Sequence, residues 1–571
     1  MKGIFSNRAK ASRRAYALLI VLVFASVGLI SLAGALTWTS TNAQANDRNA
    51  KYYTALSAAE AATEKVVARI SRDYQNSGES VVYSSLDTYR SLVPSSAESS
   101  YWSDFTFSDG TGTSSRTHVS RLSSWGYTNL TSQYTGLKGM AATYRVLSNA
   151  RVAANRQPIK AALKQEVQVA SIPIFQFAIF YAVDLEINPG PLMKITGRVH
   201  SNSTLYTEPV TGVTYLSDVT AAGDIFLHKS PLDPSSRSVG PVTFSAEHDA
   251  RVSSLTLPIG TNNSPAAVRA VVEIPPNGEA ANSAVGKQRY YNKADLVFVV
   301  SNTTVRATSG SFDNFATTIP AAQYSSFLVT NASFYNKREG KTVNAVQIDV
   351  GKLKTWSATN TVIRNVLNRD ISSVYVADLR TQTASTEPGV RVINGQTLPP
   401  LGLTVATPDP LYVQGHYNAP AGALGTTNTT GTLPASLIGD AITILSTAWN
   451  DSNSTKSLAN RIAANTTVNS AFLAGIVPSD GVNYSGGVEN FPRFLEDWSD
   501  KTFTYNGSMV VMYFSQIATA PWGGSDVYSP PARNWAFDLN FMDATKLPPG
   551  TPQLLTMIRG VWQVIPPDTI L

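Results

Sequence analysis

Five histidines, His118, His200, His228, His248 and His416, are the first residues to weigh for metal or acid–base chemistry in this chain of 571 residues. No two stand at i, i+4 and none lies in H-E-x-x-H, so no zinc-binding pattern is present. Glu247-His248-Asp249 is the one local cluster, but neighbours on an extended chain point to opposite faces, so these three do not converge unaided. His416, between two apolar stretches, reads as a hydrogen-bonded structural histidine. Carboxylates group in two places. Asp184 and Glu186 are at i, i+2, on one face of a strand; Glu496, Asp497 and Asp500 surround Trp498. Paired carboxylates beside aromatics are what a glycosidase uses, and oxygen clusters hold calcium. The plain alternative is a solvated strand edge or turn, and neither group has calcium-loop spacing. G-x-S-x-G, P-loop and G-x-G-x-x-G motifs are absent. The absence of cysteine excludes disulfides, thiolate zinc sites and a cysteine nucleophile. We nominate no catalytic, cofactor-binding or metal-ligating residue, and expect a protein that is not an enzyme and carries no cofactor. The 9 Trp, 24 Tyr and 21 Phe could line a carbohydrate groove, but packing between strands is their expected use.

Composition narrows the class. Charged residues are 15% of the chain, below the usual quarter or so. With 43% apolar residues and a mean hydropathy of −0.06, neither a disordered polyelectrolyte nor a multi-pass membrane protein fits. Ser, Thr, Asn, Gly and Pro fill the gap, as in exported β-rich proteins. The net charge of +6 belongs to the N-terminus: Lys2, Arg8, Lys10, Arg13 and Arg14 precede the first acidic residue, Asp47. Without those five, 40 basic residues face 39 acidic ones, and no basic stripe remains for nucleic acid. The Asn-x-Ser/Thr triplets are read as chance composition.

The element that dominates the N-terminus is the uncharged run Ala15–Leu36, AYALLIVLVFASVGLISLAGAL. As a helix it spans about 33 Å, enough for a bilayer core of about 30 Å. The basic residues before it predict a cytoplasmic N-terminus and an exported remainder. A cleaved signal peptide is the alternative, with small-x-small sites at Ala33-Gly34-Ala35 and Ala43-Gln44-Ala45, although its apolar region is usually shorter. Beyond the run, no Gly or Pro occurs from Ala35 to Ser77, and Tyr52, Leu56, Ala59, Thr63, Val66, Ile70 and Tyr74 recur at spacings of 3 and 4. One long helix to about Gln75 is expected, its far half packed on a globular head.

The basic leader, the apolar A-L-L-I-V-L-V stretch and the Ala59-Glu60-Ala61-Ala62 turn some forty residues on resemble the bacterial type IV pilin-like proteins, the minor-pilin and pilus-assembly group in particular. The resemblance implies cleavage by a prepilin peptidase between Ala15 and Tyr16, where Ala15 replaces the family's usual Gly. It implies that Leu18, Leu19, Ile20, Leu22, Val23, Phe24, Leu29 and Ile30 form a membrane and assembly helix. Ile20 occupies the fifth mature position, which is Glu in major pilins, so a minor pilin or pseudopilin is implied rather than a major fibre subunit. The implied partners are the inner membrane, other pilin-like subunits and the peptidase. The implied location is the bacterial inner membrane, single-pass, with most of the chain periplasmic or extracellular. A membrane-anchored adhesin or carbohydrate-binding protein, with a surface glycan as partner, is the alternative, and an anchored polysaccharide-degrading enzyme the third reading.

The expected fold is α+β and mostly β, divided into a basic leader (1–14), the helix (15–76), a pilin-like head (77–182), a β-rich domain (183–400) and a C-terminal mixed domain (401–571). Tyr144–Ala153 and Lys160–Ser171 read as two strands around a loop at Asn155–Pro158, and Ile174–Ile187 as the central strand of a sheet. The short β stretches of 194–228 suggest a meander or one or two solenoid coils, leaving sandwich and solenoid both open for the β-rich part. Ala435–Trp449, after Pro434, is expected to begin a helix, Thr355–Val366 to form a short one, and Leu554–Ile565 to be a final strand.

Overall fold

The computed structural model describes residues 11–152, 159–311, 314–524 and 526–569. Its fold is α+β, mostly β, and begins with one helix, α1, Ala11–Ser77. This helix ends because Gly78 takes a positive φ of 79°, a conformation that only glycine adopts freely. The expected stripe is the buried face: Ala59, Thr63, Val66, Ile70 and Tyr74 have at most 1% of their surface exposed.

That face lies on an antiparallel sheet made of β1 (Phe105–Ser108), β2 (His118–Arg121), β3 (Gly126–Asn129), β4 (Lys138–Val152) and β5 (Lys160–Pro173). The first three all pair with β4, and β4 pairs with β5 from Arg151↔Lys160 to Met140↔Ser171. The loop expected at Asn155–Pro158 lies outside the described residues. The sheet is completed by the C-terminal strand, Gln553–Ile565, antiparallel to β5. The head is therefore discontinuous. The expectation of a head closed near residue 182, followed by consecutive domains, is corrected: Pro173 faces Gln553, the Ile174 N–H donates to the Pro552 carbonyl at 3.0 Å, and residues 174–552 form an insertion at one end of the sheet.

The insertion is a parallel β-solenoid. Ile174–Ile187 is not one strand: it breaks into a 3-10 turn and the strands Ile179–Tyr181 and Leu185–Ile187. Ile179 pairs with Val199 and Val199 with Val219, a 20-residue coil; Leu185 with Leu205 and Met193 with Val213 mark the other two faces. After His248–Ala250 the chain runs back along the outside of the solenoid and starts again at its far end. Leu296–Val300, Ser373–Asp378, Leu403–Ala406, Ala435–Gly439, Ala471–Ile476 and Met509–Phe514 then stack in parallel, and the last of them pairs with Ile179–Tyr181. The two groups of coils thus join at a seam in one sheet, to which Val305–Ser311 and Asn314–Thr318 add two antiparallel strands for twelve in all; its central parallel strands form one continuous face.

That face is buried on both sides. Leu296, Val374, Leu403 and Leu437 point into the solenoid; Val297, Tyr375, Ile438 and Val510 are covered by Leu255, Val268 and Val272 of the returning segment. Strands buried on both faces read as continuous apolar runs, which is why Ala435–Trp449 was expected to be a helix. It is instead the strands Ala435–Gly439 and Ile442–Leu445 around a corner at Asp440. The helix expected at Thr355–Val366 is two short helices that meet at Asn360, whose side chain accepts from the Ile363 N–H and caps the second.

Candidate functional site: the N-terminal helix and its seat

The helix changes environment along its length. Tyr16 is 74% exposed, Leu19 62% and Ile30 72%, and Leu18, Ile20, Leu22, Val23, Phe24 and Leu29 are exposed with them. Ala15 lies in the same helix. None of the described residues covers this apolar surface, and the helix is long and apolar enough to cross a membrane. Four of its hydroxyls are satisfied within the helix. Ser26 donates to the Leu22 carbonyl at 2.7 Å, and Thr37, Thr39 and Thr41 donate to carbonyls four residues back at 2.8 Å. This is how hydroxyl groups are accommodated where no water can bond them.

The seat begins at Ala55. Ala58, Ala59 and Ala62 let the helix approach closely, and Phe105, Phe107, Ala150 and Leu163 fill the space against them. Further along, Val66, Val67 and Ile70 pack on Tyr144, Val146, Val167 and Val169. Polar contacts fix the rotation of the helix. Gln165 donates to Thr63 Oγ1 at 3.1 Å and to Glu64 Oε1 at 2.9 Å, and Arg559 of the C-terminal strand holds the Glu64 carboxylate bidentately at 2.6 and 2.8 Å. The Arg559 hydrogen bonds keep the Glu64 carboxyl below its ordinary range. Two strands distant in sequence, β5 and the C-terminal one, thus orient one helix.

The residues weighed for chemistry have structural partners. His200 is fully buried, its Nδ1 2.8 Å from Thr220 Oγ1 and its Nε2 2.9 Å from Asn202 Oδ1, with Phe180 stacked on its ring. Burial depresses its pKa to about 4. Asn202 in turn holds the returning segment, exchanging two hydrogen bonds with the Leu255 backbone. His416 accepts from the Thr467 N–H at 3.1 Å, as a structural histidine would. Glu247, His248 and Asp249 are all exposed at the solenoid edge. Among the described residues no group of three His, Asp or Glu could hold a metal ion. The carboxylates have partners as well: Asp184 accepts from Ser203 Oγ and Thr204 N–H and Glu186 from Ser479 and Ser485, although both line one cavity of about 480 Å³. Glu496 is buried against Ser446, whereas Asp497 caps Ser499. Sequence reading missed a cleft at the seam containing Tyr484, Trp522 and Arg533, because its walls come from segments far apart in the chain. The local signals are two glycine pairs, Gly486-Gly487 and Gly523-Gly524, all four at positive φ.

No family model matches the chain, and no curated protein matches it. Among solved structures, the crystal structure of the competence-associated pilin ComZ from Thermus thermophilus aligns with 90% of this chain and 97% of its own, at 9% identity and a TM-score of 0.29.

Proposed function

We propose that the chain is a non-catalytic subunit of the minor-pilin or pseudopilin kind, held in the bacterial inner membrane by Tyr16–Leu36 and able to pass into a type IV pilus or type II secretion-like filament. The observation that carries the reading is the division of α1, bare and apolar over its first part and locked to the head sheet over its last. A helix built this way suits two environments in turn. In the bilayer its side chains meet lipid; in a filament the same side chains meet those of neighbouring subunits. Ile20 offers no carboxylate to a neighbour's N-terminal amine, and the solenoid adds bulk to the head. Both favour the tip or the initiation complex over repeated positions along a fibre.

The first test is N-terminal sequencing of membrane-extracted protein from cells with and without prepilin peptidase. A mature start at Tyr16 that depends on the peptidase is expected. An uncut Met1, or a start at Leu36 or Asn46, would remove the pilin reading and leave a simply anchored or secreted β-protein. In the same cells Leu22→Arg should abolish insertion or assembly, since a central Arg costs about 2.5–3.5 kcal/mol on insertion scales. Normal incorporation of that variant would sink the helix-bundle step.

A further inference from the structure

We propose that the cleft at the solenoid seam binds an acidic saccharide, stacking a sugar ring on Trp522 and holding its carboxylate with Arg533. The cleft has a volume of about 460 Å³, within the roughly 300–1,000 Å³ of ligand sites. It lies between loops of the first solenoid coil, with Asn188 and Pro191, and loops of the last coils.

Its aromatic wall is built, not incidental. Trp522 and Tyr484 meet edge to face at 5.5 Å between ring centres. The Trp522 indole N–H donates to the Tyr528 hydroxyl at 2.9 Å, and that hydroxyl donates to Asn490 Oδ1 at 2.8 Å. Gly486 and Gly487 make room for this wall. A Cβ on Gly486 would stand 2.7 Å from the Trp522 ring, and one on Gly487 would stand 2.5 Å from both the Tyr484 hydroxyl and the Glu489 carboxylate. Tyr484 is held from below by Asn188 Nδ2 at 3.1 Å and donates to Glu489 at 3.3 Å. Tyr484 is buried and backs the wall, while Trp522, half-buried and fixed by its N–H, offers a ring face to a ligand at little entropic cost.

The charges point to an anion. Arg533 donates to the Glu489 carbonyl at 3.0 Å and to Asn490 Oδ1 at 3.1 Å, and makes no ion pair among the described residues. Arg237 stacks on the Tyr484 ring at 4.8 Å, pairs with Asp233 through one nitrogen, and keeps its other terminal nitrogen, Nη1, buried without a partner. Its side chain is 9% exposed. Asp233 already offsets Arg237, and among the described residues lining the cleft Glu489 is the one carboxylate, which burial pushes up to about 7, so it offsets Arg533 incompletely near neutrality. A flat aromatic face, amide groups and a guanidinium fork together match a sugar ring bearing a carboxylate.

The test uses the full chain in detergent micelles, titrated calorimetrically with trigalacturonate and 3′-sialyllactose, with neutral galactotriose and a single-stranded DNA oligonucleotide as comparisons. At least one acidic sugar should bind saturably and more tightly than both comparisons. Trp522→Ala should weaken that binding about tenfold, the loss expected on removing an anchoring Trp. Arg533→Gln should erase the preference for acidic over neutral sugar, and Arg533→Lys should restore it in part. Thermal melts of each variant identify any that fail to fold, and Trp522→Phe then serves as the milder probe of the wall. Binding to none of the sugars, equal binding of the neutral trisaccharide, tighter binding of the oligonucleotide, or unchanged binding by the folded Trp522 and Arg533 variants would each overturn the proposal. None of these results depends on leader processing or filament assembly.

Discussion

At the scale of single residues, three aspartates explain much of how the coils hold their corners. Asp378, Asp409 and Asp440 end successive strands of the twelve-stranded sheet and are all buried. Asp440, with no exposed surface, accepts from the backbone N–H groups of Gln516, Ile517 and Ala518 at 2.7, 3.0 and 2.8 Å and from Arg269 at 2.6 Å. Arg269 belongs to the returning segment, so this pair ties that segment to the solenoid. Asp440→Ala would take away the buried partner of Arg269, leaving it the more exposed Glu273, and would strand three backbone N–H groups, and denaturant unfolding should show a loss of about 3–5 kcal/mol. A loss near the ~1 kcal/mol of an exposed pair would mean that water reaches the site. Asp409 behaves differently. Burial, with Asp378 and Asp440 close by, pushes its carboxyl up to about 7. The native state therefore holds a proton that the unfolded chain releases near about pH 3.9. The resulting stabilisation is full below that pH and is lost as pH rises through about 7. Glu387, Glu489 and Glu496 are also raised to about 7 by burial and act in the same direction. Melting temperature should fall between about pH 5 and 7.5. Asp409→Asn should flatten that slope, and a profile that rises over the same range would contradict the assignment.

At the scale of elements, legibility followed periodicity. The helix could be read because its buried stripe repeats every 3 or 4 residues over about six turns of sequence and no Gly or Pro occurs between Ala35 and Ser77. β4, β5 and the C-terminal strand could be read as strands from local pattern. Their partnership could not, because pairing Pro173 with Gln553 leaves no mark in either segment. The corner strands at Ala435–Leu445 were misread because a strand buried on both faces loses the alternation that distinguishes it from a buried helix. The 20-residue spacing Ile179–Val199–Val219 was within reach, but an insertion before His248 breaks the period in the next coil. The clamp between α1 and the C-terminal strand supplies an element-scale prediction. Arg559→Gln should cost no more than about 1 kcal/mol, because both partners are substantially exposed. Hydrogen exchange along Gln553–Ile565 and the facing turns of α1 should quicken while the solenoid stays protected. Equal change in both regions would mean that head and solenoid unfold as one unit.

At the scale of the whole molecule, topology and packing make different demands on the joint between head and solenoid. The chain leaves the head at Pro173 and returns at Gln553, on adjacent antiparallel strands. Replacing residues 174–552 with an Asn-Gly turn would therefore join them as an ordinary hairpin. The α1 seat and every strand of the head sheet would be retained, so far-UV circular dichroism should show a folded helix-and-sheet protein. Packing argues that this head will not stay monomeric. Leu130, Tyr134, Leu137, Ile172, Leu554 and Ile558 are buried in the cluster that also contains Phe175, Phe177 and Leu255 of the insertion. Excision strips that cover and leaves a contiguous apolar patch, the kind of surface that drives association. Sedimentation of the excised head, with the span before Asn46 removed so that lipid-facing residues do not contribute, should show concentration-dependent self-association that Ile172→Thr with Ile558→Lys reduces. An excised head that is unfolded would show that the solenoid is part of the head's folding unit. One that is folded and monomeric would show that the solenoid is a detachable module on a self-sufficient stalk.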